Sequence, residues 1–271
     1  MLPQLMMIER ARILCQQDMR IVAALQYGSF TLGEGDQFSD IEFAFFFVDS
    51  ALPSLNQAEW VAQIAPLALY FPDDSGHHTA IFTNLIRGEF HFQPASAIPT
   101  LAQWHGNAWF PSPESAILID RTGALKAALH DLIGPPPSRE TSAIAEQRIA
   151  NFVNWMLFGS NVFARGELAR ALEILSIAHR NLLWLVRLVE HTTDHWPTPS
   201  KHLEQDLSSP VYQRYQACTA RLERDALWSA YRATWQWGRE LSHILVARYA
   251  LVFPTMLFDE LTQRFATPLS R

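Results

Sequence analysis

The 271-residue chain has only two cysteines, Cys15 and Cys218, far apart in sequence. No disulfide framework can organise it, and a free, reduced pair in the cytoplasm is the expectation. No run approaches about 18 consecutive apolar residues, so no membrane span is expected. The first ten residues lack the charged start and cleavage site of a signal peptide. A basic stripe is missing too: 21 Lys and Arg stand against 27 Asp and Glu, a net charge of −6. That offers little to a nucleic-acid backbone. Apolar mass is what the chain does have, with 49% hydrophobic and 12% aromatic residues. This suffices for well-packed cores in one large or two ordinary domains.

Pro135, Pro136 and Pro137 cannot continue a helix or sit in a central strand, so they read as a stiff linker. Two domains are predicted, residues 1–134 and 138–271. In the first, residues 21–25 lead in as a strand or helix end, and strands are expected over 38–48, 80–85, 86–92 and 116–120. Helices are expected at the N-terminus through Leu14, over 60–69 and over 125–133. The mixture implies an α/β or α+β domain around a small mixed sheet. In the second, apolar residues recur at three- and four-residue spacing over 144–164 and 168–189, with Gly166 as the turn between them. Residues 195–200 read as a loop, 211–222 and 226–251 as further helices, and Pro254 limits the last. A helical bundle is predicted, with Trp155, Phe158, Trp184 and Trp235 as core fillers. Charge divides unevenly: residues 1–137 hold six basic and fourteen acidic side chains, net −8, and residues 138–271 hold fifteen and thirteen, net +2.

The most informative stretch is residues 27–43, YGSFTLGEGDQFSDIEF. Gly28 lets backbone approach a phosphate where a side chain would clash, and Ser29 adds a hydroxyl beside those amides. In the strand that follows, Asp40 and Glu42 share one face while Ile41 and Phe43 point into the core. Two adjacent carboxylates on an otherwise apolar strand are costly without a cation, and hard oxygen ligands suit Mg²⁺. The alternative is a strand edge with two solvated acids and a glycine-rich turn. A Gly-Ser pair, a spacer and Asp-x-Glu together are what metal-assisted nucleotidyl transfer needs.

Two-metal transfer also needs a third carboxylate to orient or deprotonate the attacking hydroxyl. Residues 86–92, IRGEFHF, place Arg87, Glu89 and His91 on one strand face and Ile86, Gly88, Phe90 and Phe92 on the other. Gly88 marks close approach of something to the backbone. Glu89 is the third acid on this reading; the alternative is an ordinary cross-strand ion pair with Arg87. His91 has no second His or Cys at ligand spacing, and reads as a substrate hydrogen-bonding group or a surface histidine, with Arg87 beside it. His77 and His78, next to Asp73-Asp74-Ser75-Gly76, read as part of a turn and not a metal site. The acidic first half has few cations for a triphosphate, so Arg170, and less so Arg165 and Arg180, are expected to supply them from the helical half. A solvated helix-face arginine paired with Glu167 or Glu173 is the alternative for Arg170.

These residues resemble the nucleotidyltransferase superfamily of aminoglycoside nucleotidyltransferases and polymerases of the beta type. Residues 27–43, 81–92 and 165–175 resemble the lincosamide nucleotidyltransferases in particular. The resemblance implies transfer of AMP from ATP to a hydroxyl of lincomycin or clindamycin, with release of pyrophosphate. It implies Asp40, Glu42 and Glu89 as ligands of two Mg²⁺ ions, with Glu89 as the base. Gly28, Ser29, Ser39 and Arg170 are then the nucleotide-binding candidates. Glu42 stands where Asp is more usual in the superfamily, and its longer arm still reaches a metal. A bacterial cytoplasmic homodimer is implied as well. An aminoglycoside nucleotidyltransferase and a non-catalytic nucleotide-binding module of the same fold are the competing readings.

Overall fold

The computed structural model describes residues 1–74, 76–106 and 108–267. Contacts divide the chain into two compact units, Met1–Pro137 and Ser138–Arg271.

In the first unit, in chain order, lie α1 (Pro3–Gln17), β1 (Ile21–Tyr27), α2 (Ser29–Leu32), β2 (Ile41–Phe47), α3 (Gln57–Val61) and β3 (Leu67–Pro72). They are followed by β4 (His78–Phe82), β5 (Arg87–Pro94), α4 (Pro113–Ala116), β6 (Ile117–Asp120) and α5 (Ala124–Ala128). A six-stranded sheet runs in the order β3-β4-β5-β2-β1-β6. β2 and β5 are parallel, and every other pair is antiparallel. The expected mixed sheet is present.

Strand alternation sorts β2 onto two cores. Ile41, Phe43, Phe45 and Phe47 join Met7, Ala11 and Leu14 of α1 and Trp60 and Val61 of α3 on one face. Ala44 and Phe46 face the other way, onto Ile98, Leu101, Leu125 and Leu129. Glu42 shares that second face but is only half-buried, so the cover ends at the acid. Gly88 is close-packed as expected, by core rings: an added Cβ would sit 2.6 Å from Phe90 and 3.2 Å from Phe82.

Two expectations fail here. The helix over 60–69 shrinks to α3, and residues 67–69 begin β3 instead. Pro66 and Pro72 bracket an edge strand where a missing N–H costs little, and Leu69 and Phe71 stay exposed on it. The helix over 125–133 breaks into α5 and a 3-10 turn, His130–Leu132.

The second unit holds α6 (Ser142–Ala164), α7 (Leu168–Glu190), α8 (Leu203–Asp206), α9 (Ser209–Gln216), α10 (Arg224–Tyr249) and α11 (Thr255–Ala266). Thr141 caps α6 by accepting a hydrogen bond from the Ile144 amide. Gly166, at φ +80°, turns the chain from α6 to α7 and donates to the Phe163 carbonyl. α9 stops short of the expected 211–222, where the Thr219 hydroxyl donates to the Gln216 carbonyl. α10 ends at Tyr249, before Pro254, with Ala250 left-handed at its C-cap. Pro254 instead starts a further helix: α11 places Phe258, Leu261 and Phe265 in the core, and its Thr262 hydroxyl accepts from Trp235 Nε1 at 3.1 Å. Trp235 is buried, and Trp155, Phe158 and Trp184 pack against the same core, as read from the sequence.

Candidate active site and a neighbouring histidine pair

β1 ends at Tyr27 and passes to Gly28, whose φ of +77° and ψ of −157° are open in practice to glycine alone. A Cβ there would sit 1.4 Å from Glu42 Oε2, so this backbone turn and that carboxylate are in contact range. Ser29 Oγ beside it is buried and has no hydrogen-bond partner among the described residues. A buried hydroxyl with nothing to bind is unusual, and it suits a site built to receive a polar ligand.

The sheet brings the three acids onto one face. Asp40 lies just ahead of β2, and the parallel register sets Glu42 opposite Glu89. A cation is already among them. Arg87 Nη1 donates to Asp40 Oδ2 at 2.6 Å, and Nη2 donates to Glu89 Oε2 at 3.2 Å. The ion pair weighed from the sequence is therefore real, and it spans both acidic segments. Its guanidinium meets the need of adjacent carboxylates for positive charge. Hard carboxylate oxygens, a glycine turn and an unmatched hydroxyl are the chemistry Mg²⁺ and phosphate take. With Arg87 between them, however, the oxygens of Asp40, Glu42 and Glu89 are not all within 4.8 Å of one another, so an ion shared by all three needs the guanidinium to move aside.

Glu89 is the most heavily bound of the three. Its Oε1 accepts from Tyr27 Oη at 3.0 Å and lies 3.1 Å from His91 Nε2. The hydrogen bond with His91, followed by those from Tyr27 and Arg87, outweighs burial and pulls the carboxyl down to about 2. It is thus ionised at neutral pH. That suits a ligand or hydrogen-bond acceptor better than a general base, which works best with a pKa near the operating pH. Burial and the surrounding carboxylates push the Tyr27 phenol the other way, above its ordinary value, so it stays a donor.

Tyr27 was missed in the sequence. The available signal was its place immediately before Gly28-Ser29 at the end of a strand, which aims its side chain across the acidic face. His77 was also missed, and here the expectation is corrected. The turn at 73–76 exists, with the Gly76 amide on the Asp73 carbonyl and the His77 amide on Asp73 Oδ1, while Ser75 lies outside the described residues. The antiparallel pairing of β4 with β5 then sets His77 beside His91, ring centroids 3.8 Å apart. His91 does have a second histidine, from a neighbouring strand that sequence spacing cannot reveal.

Two nucleotide-binding candidates are otherwise engaged. Ser39 Oγ donates to Asp36 Oδ1 at 2.9 Å and accepts from the Asp36 amide at 3.0 Å, closing the loop before β2. Gln4 of α1 holds that loop through the carbonyls of Gln37 and Ser39. Arg170 is 51% exposed and pairs with Glu167 at 3.1 Å, the helix-face pairing that was its alternative. Arg165 is exposed, and Arg180 donates to the Pro197 carbonyl and lies over the Trp184 ring.

Residues 141–264 match the family profile described as lincosamide nucleotidyltransferase-like, C-terminal domain. The helical unit belongs to that domain family. The match lies within the helical unit and covers just under half of the chain. No curated protein matches it significantly. Among solved structures it is similar to an aminoglycoside 6-adenyltransferase from Bacillus subtilis, 13% identical over 97% of each chain with a TM-score of 0.45. It is also similar to a nucleotidyltransferase-like protein from Exiguobacterium sibiricum, 14% identical over 96% of this chain and 88% of that one, TM-score 0.38. Neither similarity is high enough to carry an argument. No described helix is long and apolar enough to cross a membrane.

Proposed function

We propose that this chain transfers AMP from ATP to a hydroxyl of a lincosamide such as lincomycin or clindamycin, using Asp40, Glu42 and Glu89 to bind Mg²⁺. The observation that supports it is Glu42 within contact range of Gly28 and in register with Glu89, with Asp40 joined to Glu89 through Arg87. Mg²⁺ bound there supplies charge for the triphosphate and acidifies the acceptor hydroxyl. The protein's own part is positioning, the main source of rate in phosphoryl-type transfer. Gly28 leaves room for phosphate oxygens against the backbone, and the Ser29 hydroxyl is available to donate to them. Glu89, ionised, accepts the acceptor's hydroxyl hydrogen and so orients its oxygen. Arg87 and His91 project from the same face of β5 and are placed to hydrogen-bond the acceptor. The acceptor oxygen forms its bond to the α-phosphorus as the bond to pyrophosphate breaks, and its proton leaves past Glu89 to water.

One feature favours a second acceptor class. The net −8 of residues 1–137 suits a polycationic aminoglycoside, with unchanged chemistry at the phosphorus. Incubation with MgATP and lincomycin, clindamycin or kanamycin, read by mass spectrometry, separates the two. A gain of one AMP on the lincosamides alone is expected, and a gain on kanamycin alone reassigns the acceptor. Asp40→Asn is expected to abolish transfer with the circular dichroism unchanged, since Asp40 is part-exposed and pairs with Arg87 at the surface. Wild-type turnover in that variant removes the acid set from the mechanism.

A further inference from the structure

His77, Glu89 and His91 each present a ligand atom, and these atoms all lie within 4.8 Å of one another. All three side chains are half-buried. His77 sits at the end of the β3–β4 hairpin with its backbone fixed at both polar groups: its amide donates to Asp73 Oδ1 at 3.0 Å, and its carbonyl accepts from the Asp73 amide at 2.7 Å. His91 Nε2 and Glu89 Oε1 are 3.1 Å apart. With bonds of about 2.0–2.1 Å, two ligands of a tetrahedral ion stand about 3.3 Å apart, so this edge already has chelate length. The outer contacts aim the carboxylate. Arg87 holds Glu89 Oε2, leaving Oε1 turned toward the imidazoles, and Tyr27 Oη donates to that same Oε1. Hydrogen-bonded carboxylates of this kind are the usual support around metal ligands.

We infer that His77, Glu89 and His91 form a binding site for a divalent transition ion of the Zn²⁺ class, distinct in chemistry from the all-oxygen acid set. Two imidazoles and one carboxylate suit Zn²⁺ and Co²⁺, whereas Mg²⁺ prefers oxygen and keeps its waters. Three protein ligands leave a tetrahedral ion one open position. Glu89 belongs to both sets, so on the function proposed above the two kinds of ion compete for one carboxylate. The site itself does not depend on that function.

The test is a Co²⁺ titration of the full-length protein in excess Mg²⁺ without nucleotide, following visible absorption, with X-ray absorption of the Zn²⁺-loaded form. One Co²⁺ per chain is expected, with nitrogen neighbours around Zn²⁺. His77→Asn and His91→Asn should each weaken Co²⁺ binding by at least about tenfold, since even supporting residues around a metal cost that much. Asp40→Asn, which removes an acid that is not a ligand of this site and leaves Arg87 its bond to Glu89, should leave Co²⁺ affinity within about twofold. Unchanged affinity in both histidine variants overturns the site, as does an oxygen-only shell in the wild-type protein. Equal loss in Asp40→Asn overturns it too, by returning the ion to the acid set. Failure of AMP transfer to any drug leaves all these readings untouched, so the two proposals stand or fall separately.

Discussion

At the scale of single residues, the candidate site is a contest over Glu89. Tyr27, Arg87 and His91 all bind this one carboxylate, and each favours its ionised form. Its pKa is lowered from the ordinary 4.5 to about 2, so the folded state binds the proton more weakly than the unfolded state. Glu89 therefore stabilises the fold at neutral pH, and that stabilisation is lost as pH falls from about 4.5 toward 2. In urea unfolding, wild type is expected to exceed Glu89→Gln in stability at pH 7, with the gap narrowing across that window. A gap that does not change with pH means the hydrogen bonds do not select the charged form. The order of residues 27–43 and the alternation of residues 87–91 made the acids and their common face legible. Arg87 between the acids was legible only as an alternative, because whether a guanidinium reaches across depends on side-chain rotamers.

Elements show where local propensity yields to packing. Gly238, within α10, has no helical virtue: replacing it with Ala gains up to about 1 kcal/mol of intrinsic propensity. A Cβ there would sit 2.0 Å from Cζ of Phe152, which is fully buried on α6, and overpacking costs about 1–3 kcal/mol. Packing should win, so Gly238→Ala is expected to lower Tm; a raised Tm would show that the Phe152 ring can move aside. Arg187 on α7 makes the opposite point, a fully buried charge within an apolar helix face. It donates to the carbonyls of Thr192, Pro199 and Lys201 at 2.6–2.7 Å and to Asp206 at 2.8 Å. One side chain thus ties down the irregular 192–206 segment. Arg187→Met leaves Asp206 and three carbonyls without that donor, and an unfolding free-energy loss of about 3–5 kcal/mol is expected in chemical denaturation. The sequence marked 195–200 as a loop, but nothing in its spacing named the residue that anchors it.

On the scale of the whole molecule, each unit carries its own core, and the largest apolar cluster lies entirely within residues 145–265. A fragment of residues 138–271 is therefore expected to be helical by circular dichroism and to unfold cooperatively on heating; a broad, non-cooperative loss would mean the bundle depends on the other unit. Both cysteines are free and buried, one in each unit, with burial pushing their thiols up to about 12 for Cys15 and about 11 for Cys218. The amino-acid order by itself determined which residues share a strand or helix face, where prolines and glycines interrupt elements, and that carboxylates and a glycine-serine turn would recur at one end of a sheet. These are consequences of short-range periodicity and of backbone sterics. Only the tertiary structure decided that β2 runs parallel to β5 and sets Glu42 against Glu89, that residues 67–72 form an edge strand, and that His77 meets His91. Strand pairing and register join segments tens of residues apart, and their energetics rest on the neighbours that the whole fold supplies.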